Sequence, residues 1–193
     1  MIVVIDYGSG NLRSVAKALE RAGGGVRVSA HAEDIRRADR ILLPGVGAFG
    51  DCRHNLERSR LLEPVLEHIR QGKPFLGICV GMQLLFSEGH EFGVHPGLDI
   101  FAGKVIGFDK TMPDPHDATL KLKVPHMGWN RVRQHRSHPL WSGIPQDSFF
   151  YFVHSYHCVP DDPGIAAGTS VYGIPICAAA ARDNLFATQF HPE

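Results

Sequence analysis

The sequence reads as an α/β chain with a mostly parallel central sheet flanked by helices and added antiparallel strands in its C-terminal half. Three observations carry that expectation. Short apolar, β-branched runs recur along the N-terminal half, amphipathic stretches at helical spacing separate them, and after about residue 100 the pattern turns rich in strands. A length of 193 residues fits one domain covering 1–193. Apolar residues at 44% and charged residues at 21% exclude global disorder.

Ile2 to Ile5 is a continuous β-branched run, suited to a strand buried on both faces of a parallel sheet, and residues 6–10 (DYGSG) break it. Leu12, Val15, Ala16, Leu19 and Ala22 then recur at helical spacing, so 11–22 is expected as a helix ended by Gly23, Gly24 and Gly25. Val26 to Ser29 and Arg40 to Leu43 are the next strands, the latter stopping at Pro44. Leu62, Val65, Leu66 and Ile69 mark a helix that tolerates Pro64 only near its first turn. Phe75 to Ile78 is another buried strand, with a helix beginning near Met82. Further on, Lys121 to Val124 alternates and Phe149 to Val153 is aromatic and β-branched. Asp183 and Asn184 sit between Ile176 to Ala181 and Leu185 to Phe190 as a hairpin turn would. The polar, proline-containing segment 109–119 (DKTMPDPHDAT) is expected as a mobile surface loop.

Lys plus Arg and Asp plus Glu both number 20, so the basic excess of a phosphate-neutralising nucleic-acid binder is missing. The cysteines at 52, 79, 158 and 177 form no C-x-x-C pair, which points to free thiols in a reducing compartment. The N-terminus carries no basic n-region, and no apolar run reaches the roughly 18 residues of a membrane span. A cytoplasmic protein without membrane contact is expected.

The most informative segment is Gly77-Ile78-Cys79-Val80-Gly81, a thiol version of the nucleophile elbow at a strand-to-helix junction. Such a turn strains the nucleophile's backbone, and flanking glycines let neighbouring chain pass close. A helix N-terminus would also favour thiolate over thiol. Cysteine is often merely a buried small residue; the glycines set Cys79 apart, and Cys52, Cys158 and Cys177 are read as structural. His191-Pro192-Glu193 follows a β-run and supplies a base and a carboxylate to orient it, completing nucleophile, base and orienter. Pro44-Gly45-Val46-Gly47 can turn amides outward, so that one of them, with the Val80 N–H, forms an oxyanion hole; a simple turn is the alternative. The pairs His154/His157 and His135/His138 are too sparse for a metal site, and no metal or cofactor is expected.

These pieces occur in the same order in class I, triad-type glutamine amidotransferases. With Asp6 to Leu12 (DYGSGNL), PGVGAF at 44–49, GICVGMQ at 77–83, PHMGWN at 125–130 and QFHPE at 189–193, the chain resembles, end to end, the glutaminase subunits of imidazole glycerol phosphate synthases. The resemblance implies that Cys79 attacks the side-chain amide of L-glutamine, that His191 protonates departing ammonia and that Glu193 orients the imidazole. It assigns Gln83, Glu91 and the backbone around Ser155 and Tyr156 to glutamine binding. It assigns the oxyanion to the Val46 and Val80 amides, flanked by Gly45 and Gly47, after the Gly45–Val46 peptide reorients. It also implies a heterodimer with a (β/α)₈-barrel cyclase that receives the ammonia, with Asn11, Met127, Trp129 and Asn130 at or near the shared surface. A core position is the alternative for Trp129.

Val80 stands where the family commonly has leucine. Family members also continue past His-Pro-Glu, whereas the sequence ends at Glu193, leaving open a shortened chain, an omitted tail or a loosely held triad. Three further readings stay open. One is an amidotransferase serving another synthase, such as a nucleotide-sugar aminating system. Another is a non-catalytic binding subunit, and the elbow alone would also suit a cysteine peptidase.

Overall fold

The computed structural model describes residues 1–114 and 119–193. Its N-terminal half alternates strands and helices: β1 (Ile2–Ile5), α1 (Leu12–Arg21), β2 (Val26–Ser29), α2 (Ala32–Arg37), β3 (Arg40–Leu43), α3 (Phe49–Arg58), α4 (Leu62–Arg70), β4 (Phe75–Ile78) and α5 (Val80–Gln83). The rest is mostly strand: β5 (Phe86–Gly89), β6 (His95–Pro96), β7 (Phe101–Gly107), β8 (His126–Gln134), β9 (Ser148–His154), β10 (Tyr156–Pro160), β11 (Ala166–Tyr172), β12 (Ile174–Arg182) and β13 (Leu185–Thr188).

The main sheet has nine strands in the order β2-β1-β3-β4-β13-β12-β11-β8-β9, and a four-stranded sheet runs β10-β7-β5-β6. Pairing is parallel from β2 to β13 and antiparallel from β13 to β9, as the sequence pattern predicts. Helices cover the parallel part over a core that includes Val3, Val4, Ile5, Ile41, Leu42 and Leu43. A second, aromatic core of Trp141, Phe152, Phe186 and Phe190 lies in the antiparallel part.

The parallel pairing is what builds the site. Strand β13 lies beside β4 with Ala187 opposite Gly77 and Thr188 opposite Ile78, and the Cys79 N–H donates to the Thr188 carbonyl at 2.8 Å. The chain therefore leaves β13 toward His191 next to the point where it leaves β4 at Cys79. Strand β3 pairs with the other side of β4 and delivers Pro44 and Gly45 to the same edge. Ligand sites of open α/β sheets form at such carboxyl ends of strands.

Helix α1 ends where expected, with Gly23 at φ 85° just after its cap. Pro64 falls in the first turn of α4, and Asp183-Asn184 turns the β12–β13 hairpin. One expectation fails: Lys121 to Val124 forms no strand. Only Leu122 of that stretch is buried, and the segment pairs with its own loop, through Lys121 to Pro113 and the Leu122 N–H to the Met112 carbonyl. Within the expected 109–119 loop, residues 115–118 lie outside the described residues. Helix α3 was not expected, although its buried residues Phe49, Cys52 and Leu56 stand at the helical spacing that would have signalled it. Strand β7 was likewise not expected, although it buries alternate residues, Phe101, Gly103 and Val105.

Candidate active site

Cys79 occupies the β4–α5 turn with φ 56° and ψ −113°, a left-handed conformation that costs a non-glycine residue about 1–3 kcal/mol. The surrounding chain enforces it. A Cβ on Gly77 would sit 2.7 Å from the Gly81 carbonyl oxygen, and one on Gly81 would sit 1.9 Å from the Leu43 carbonyl oxygen. Both glycines are therefore demanded by backbone contact. The expected helix begins at Val80 rather than Met82 and lasts one turn. The Met82 and Gln83 amides donate to the Cys79 carbonyl and the Val80 amide to the Gly45 carbonyl, so the array of free N–H groups expected beside the sulfur is largely engaged already.

The imidazole supplies the positive charge instead. His191 Nδ1 is 3.1 Å from Glu193 Oε1, while its Nε2 is buried and without a hydrogen-bond partner among the described residues. Cys79 is the largest influence on the ring and Glu193 the next. Together they outweigh burial and push the pKa of His191 up to about 10. Burial opposes ionisation of Glu193, yet the hydrogen bond from His191 and a backbone amide prevail and hold its carboxyl below the ordinary range. The other thiols differ. Burial raises Cys52, Cys158 and Cys177, the last to about 12, so they are poor nucleophiles at neutral pH.

Because the pKa of His191 is raised on folding, its contribution to stability is fully present below about pH 6.5 and is lost as pH rises through about 10. Glu193→Gln is expected to lower the imidazole titration midpoint by about one unit, read by NMR of the ring nitrogens. The stability difference between wild type and this variant should be level between about pH 4.5 and 6.5, shrink toward pH 10 as the imidazole deprotonates, and shrink again below about pH 4.5 as the Glu193 carboxyl takes up a proton. An unchanged midpoint would show that the carboxylate does not hold the ring.

The Gly45–Val46 peptide is oriented against the expected oxyanion role. The Val46 N–H donates to Ser9 Oγ at 3.1 Å, and the Gly45 carbonyl accepts from the Val80 N–H at 3.3 Å. Both anticipated donors are thus engaged within the chain. Ser9 Oγ also donates to the Val46 carbonyl at 2.6 Å, and the Cys52 thiol lies 3.4 Å from the same oxygen. Gly45 has no room for a side chain, since a Cβ would meet Val80, Gly81 and the Tyr7 hydroxyl below 3.0 Å.

Cys79, Val80, Val46, Gly47, Gln83, Glu91, Ser155, Tyr156 and His191 line one cavity of about 350 Å³, joined by Pro125, Val153 and His154. Glu91 is fixed there by the Phe49 N–H, the first amide of α3, which donates to Oε2 at 2.7 Å. Gln83 Nε2 donates to the Tyr156 carbonyl at 3.2 Å, and His154 Nδ1 lies 2.8 Å from that oxygen. His154 Nε2 in turn meets His126 Nδ1 at 2.9 Å, and burial depresses both rings, to about 3 and about 4, so both are neutral. A buried polar pair of this kind, formed between facing residues of β8 and β9, leaves no spacing signal in the sequence.

The histidine pairs considered for metal binding are dispersed in this way. His154 is committed to His126, His157 packs on Phe108, His135 faces Thr169 Oγ1 at 2.7 Å and His138 packs on Phe186. On the outer side of His191, Asn11, Trp129, Phe149, Val153, His191 and Glu193 share a second concavity of about 580 Å³. Trp129 is 71% exposed and Met127 61%, so Trp129 is a surface residue and not a core aromatic. Asn130 is tied down by donating Nδ2 to the Val171 carbonyl at 2.9 Å.

Residues 3–193 match the family description Glutamine amidotransferase class-I. The chain belongs to the class-I glutamine amidotransferase family. Among curated members, the protein named imidazole glycerol phosphate synthase subunit HisH of Syntrophotalea carbinolica is 50% identical over 193 residues, which is 100% of this chain and 92% of that one. Its namesake from Geobacter sulfurreducens is 48% identical over 192 residues, 100% of this chain and 90% of that one. The amidotransferase fold is shared with solved structures at much lower identity. A glutamine amidotransferase crystal structure superposes with a TM-score of 0.73 at 15% identity, covering 100% of this chain and 90% of the other. The PurLQS structure from Thermotoga maritima gives 0.73 at 16% identity, covering 99% and 86%. Among the described residues, no helix is long and apolar enough to cross a membrane.

Proposed function

We propose that the chain, acting as one catalytic unit over residues 1–193, is the glutaminase subunit of an imidazole glycerol phosphate synthase. It hydrolyses L-glutamine at Cys79, His191 and Glu193 and passes ammonia to a (β/α)₈-barrel cyclase in histidine biosynthesis. The observation that carries this reading is a thiol and a half-buried histidine, itself paired with a carboxylate, lining one cavity in a chain half identical, along its whole length, to subunits of that synthase.

Glutamine enters with its α-ammonium toward the Glu91 carboxylate and its backbone along Ser155 and Tyr156, which brings the side-chain amide to Cys79. The thiolate adds to the amide carbon, and the oxyanion is met by the Val80 N–H once the Gly45 carbonyl has left it. His191 gives its proton to the amide nitrogen, the C–N bond breaks and ammonia departs, leaving a glutamyl thioester. The neutral imidazole then takes a proton from water as its oxygen attacks, the thiolate is expelled and glutamate leaves. Glu193 holds the ring in register through both steps.

Turning over the Gly45–Val46 peptide would free the Val80 N–H and bring the Val46 N–H to the same side, at the expense of its bond to Ser9. Basal turnover of the isolated chain is therefore expected to be low, and to rise about 10²-fold or more when the cyclase and its nucleotide ligand bind, because one oxyanion donor is worth about that factor. A coupled glutamate assay measures this. Equal turnover with and without the partner would refute a gated oxyanion site. The exposed side chains of Trp129, Met127, Phe149 and Val171 give the partner an apolar face beside His191, with Asn11 and Asn130 as polar contacts.

A further inference from the structure

We infer that Gln189 is a further catalytic residue of this site: its carboxamide presents an N–H to the sulfur of Cys79 and is locked in that orientation by Gln83. The inference rests on the proposed role of Cys79 as nucleophile.

Gln189 is 0% exposed and follows β13 directly, with its backbone N–H on the Ala178 carbonyl, which fixes where its side chain begins. Its Nε2 lies 3.7 Å from Cys79 Sγ and its Oε1 lies 3.0 Å from Gln83 Nε2. Which end of a carboxamide faces which neighbour is ordinarily open to inversion. Here it is decided by a backbone carbonyl. The Gln83 atom that meets Gln189 is also 3.2 Å from the Tyr156 carbonyl oxygen, which only accepts, so that atom must be the NH₂ nitrogen. The Gln189 atom facing it must then accept and is Oε1. The opposite end, toward the sulfur, is left as an N–H donor.

A thiolate gains from that donor, and a carbonyl oxygen in the same place would repel it. Hydrogen bonds to ionised groups are roughly twice as strong as neutral ones, and here the donor side chain is fully buried. The two hydrogens of Gln83 Nε2 go to Tyr156 and Gln189, so one side chain sets both the wall of the glutamine cavity and the group beside the nucleophile. Gln189 thus favours the reactive ionisation state and fixes the direction of the sulfur.

The test compares wild type with Gln189→Met, which keeps the volume and removes donor and acceptor, and Gln189→Glu, which keeps an acceptor for Gln83 and sets a carboxyl against the sulfur. Alkylation of Cys79 by iodoacetamide, followed by peptide mass from pH 5 to 10, reads thiolate formation without needing glutamine or a partner. The midpoint is expected to rise by about one pH unit in both variants, so that alkylation at pH values below the wild-type midpoint slows about tenfold. Glutaminase kcat with the cyclase bound should fall by a similar factor. Circular dichroism and thermal unfolding identify a variant that fails to fold, and the other variant then decides. An unshifted midpoint in a folded variant overturns the inference, whether or not turnover falls, because lost turnover alone would mark a packing role. A Cys79→Ala control separates the two levels: if it still hydrolyses glutamine the nucleophile assignment is wrong, and if it is inactive while the Gln189 variants keep the wild-type midpoint, only the role of Gln189 fails.

Discussion

Cys79→Ala is expected to abolish glutamine-dependent synthesis by the complex, with a loss of about 10⁴-fold or more, while synthesis from added ammonium salt continues at the wild-type rate. The asymmetry follows from where each reaction occurs. Removing the sulfur eliminates the only thiol, among the described residues, on the cavity that also holds Gln83, Glu91, Tyr156 and His191. In the proposed complex the cyclase works at its own site and takes its nitrogen as ammonia from either source. The buried thiols of Cys52, Cys158 and Cys177 cannot substitute, since each is held in its protonated form. Both rates can be followed in one spectrophotometric assay of the cyclase reaction, with glutamine and then ammonium chloride as nitrogen source. Glutamine-driven turnover surviving in the variant would disprove the assignment of the nucleophile.

Gly81→Ala is expected to be the most damaging substitution of a residue that performs no chemistry. The added methyl group would sit 1.9 Å from the Leu43 carbonyl oxygen, a backbone atom of the buried strand β3, so no side-chain rotation relieves it. Either β3 or the elbow must move, and the same two segments carry Gly45, Val80 and Cys79. A destabilisation of about 3 kcal/mol or more is expected, lowering the melting temperature by roughly 10 °C for a chain of this size. Any folded fraction should be inactive, because the turn that presents the sulfur is displaced. Gly143→Ala is the natural comparison, as nothing lies within 4 Å of a Cβ there, although its φ of 76° makes it mildly strained. Thermal unfolding and glutaminase turnover measured side by side would expose the difference. A Gly81→Ala protein with wild-type melting and turnover would show that the close approach to β3 does not matter.

Much of the fold was legible because local patterns carry it. The β-branched runs of β1, β3 and β4 and the glycine stop after α1 are signals confined to a few residues. Lys121 to Val124 misled because a four-residue alternation specifies a strand only if a sheet edge is there to receive it, and here one side chain found a pocket while the rest met their own loop. The small sheet of β5, β6, β7 and β10 was missed for the converse reason: β5 and β6 are only four and two residues long, and β7 finds β10 some fifty residues further along the chain. Trp129 could not be placed from composition, since a tryptophan in an alternating strand faces either core or solvent according to what packs on it.

The chemistry divides along the same line. By itself the sequence determined that a cysteine between two glycines would be forced outward at a strand end and that a histidine and a carboxylate two residues apart would accompany it, because backbone sterics and side-chain type are local properties. Only the tertiary structure decided that the imidazole is held charged, that the Gly45–Val46 peptide turns its carbonyl toward the Val80 amide, and that Gln189 offers the sulfur an N–H. Those outcomes depend on which donors and acceptors from distant segments meet at one end of the sheet, and a pairing of that kind is written in no single stretch of chain.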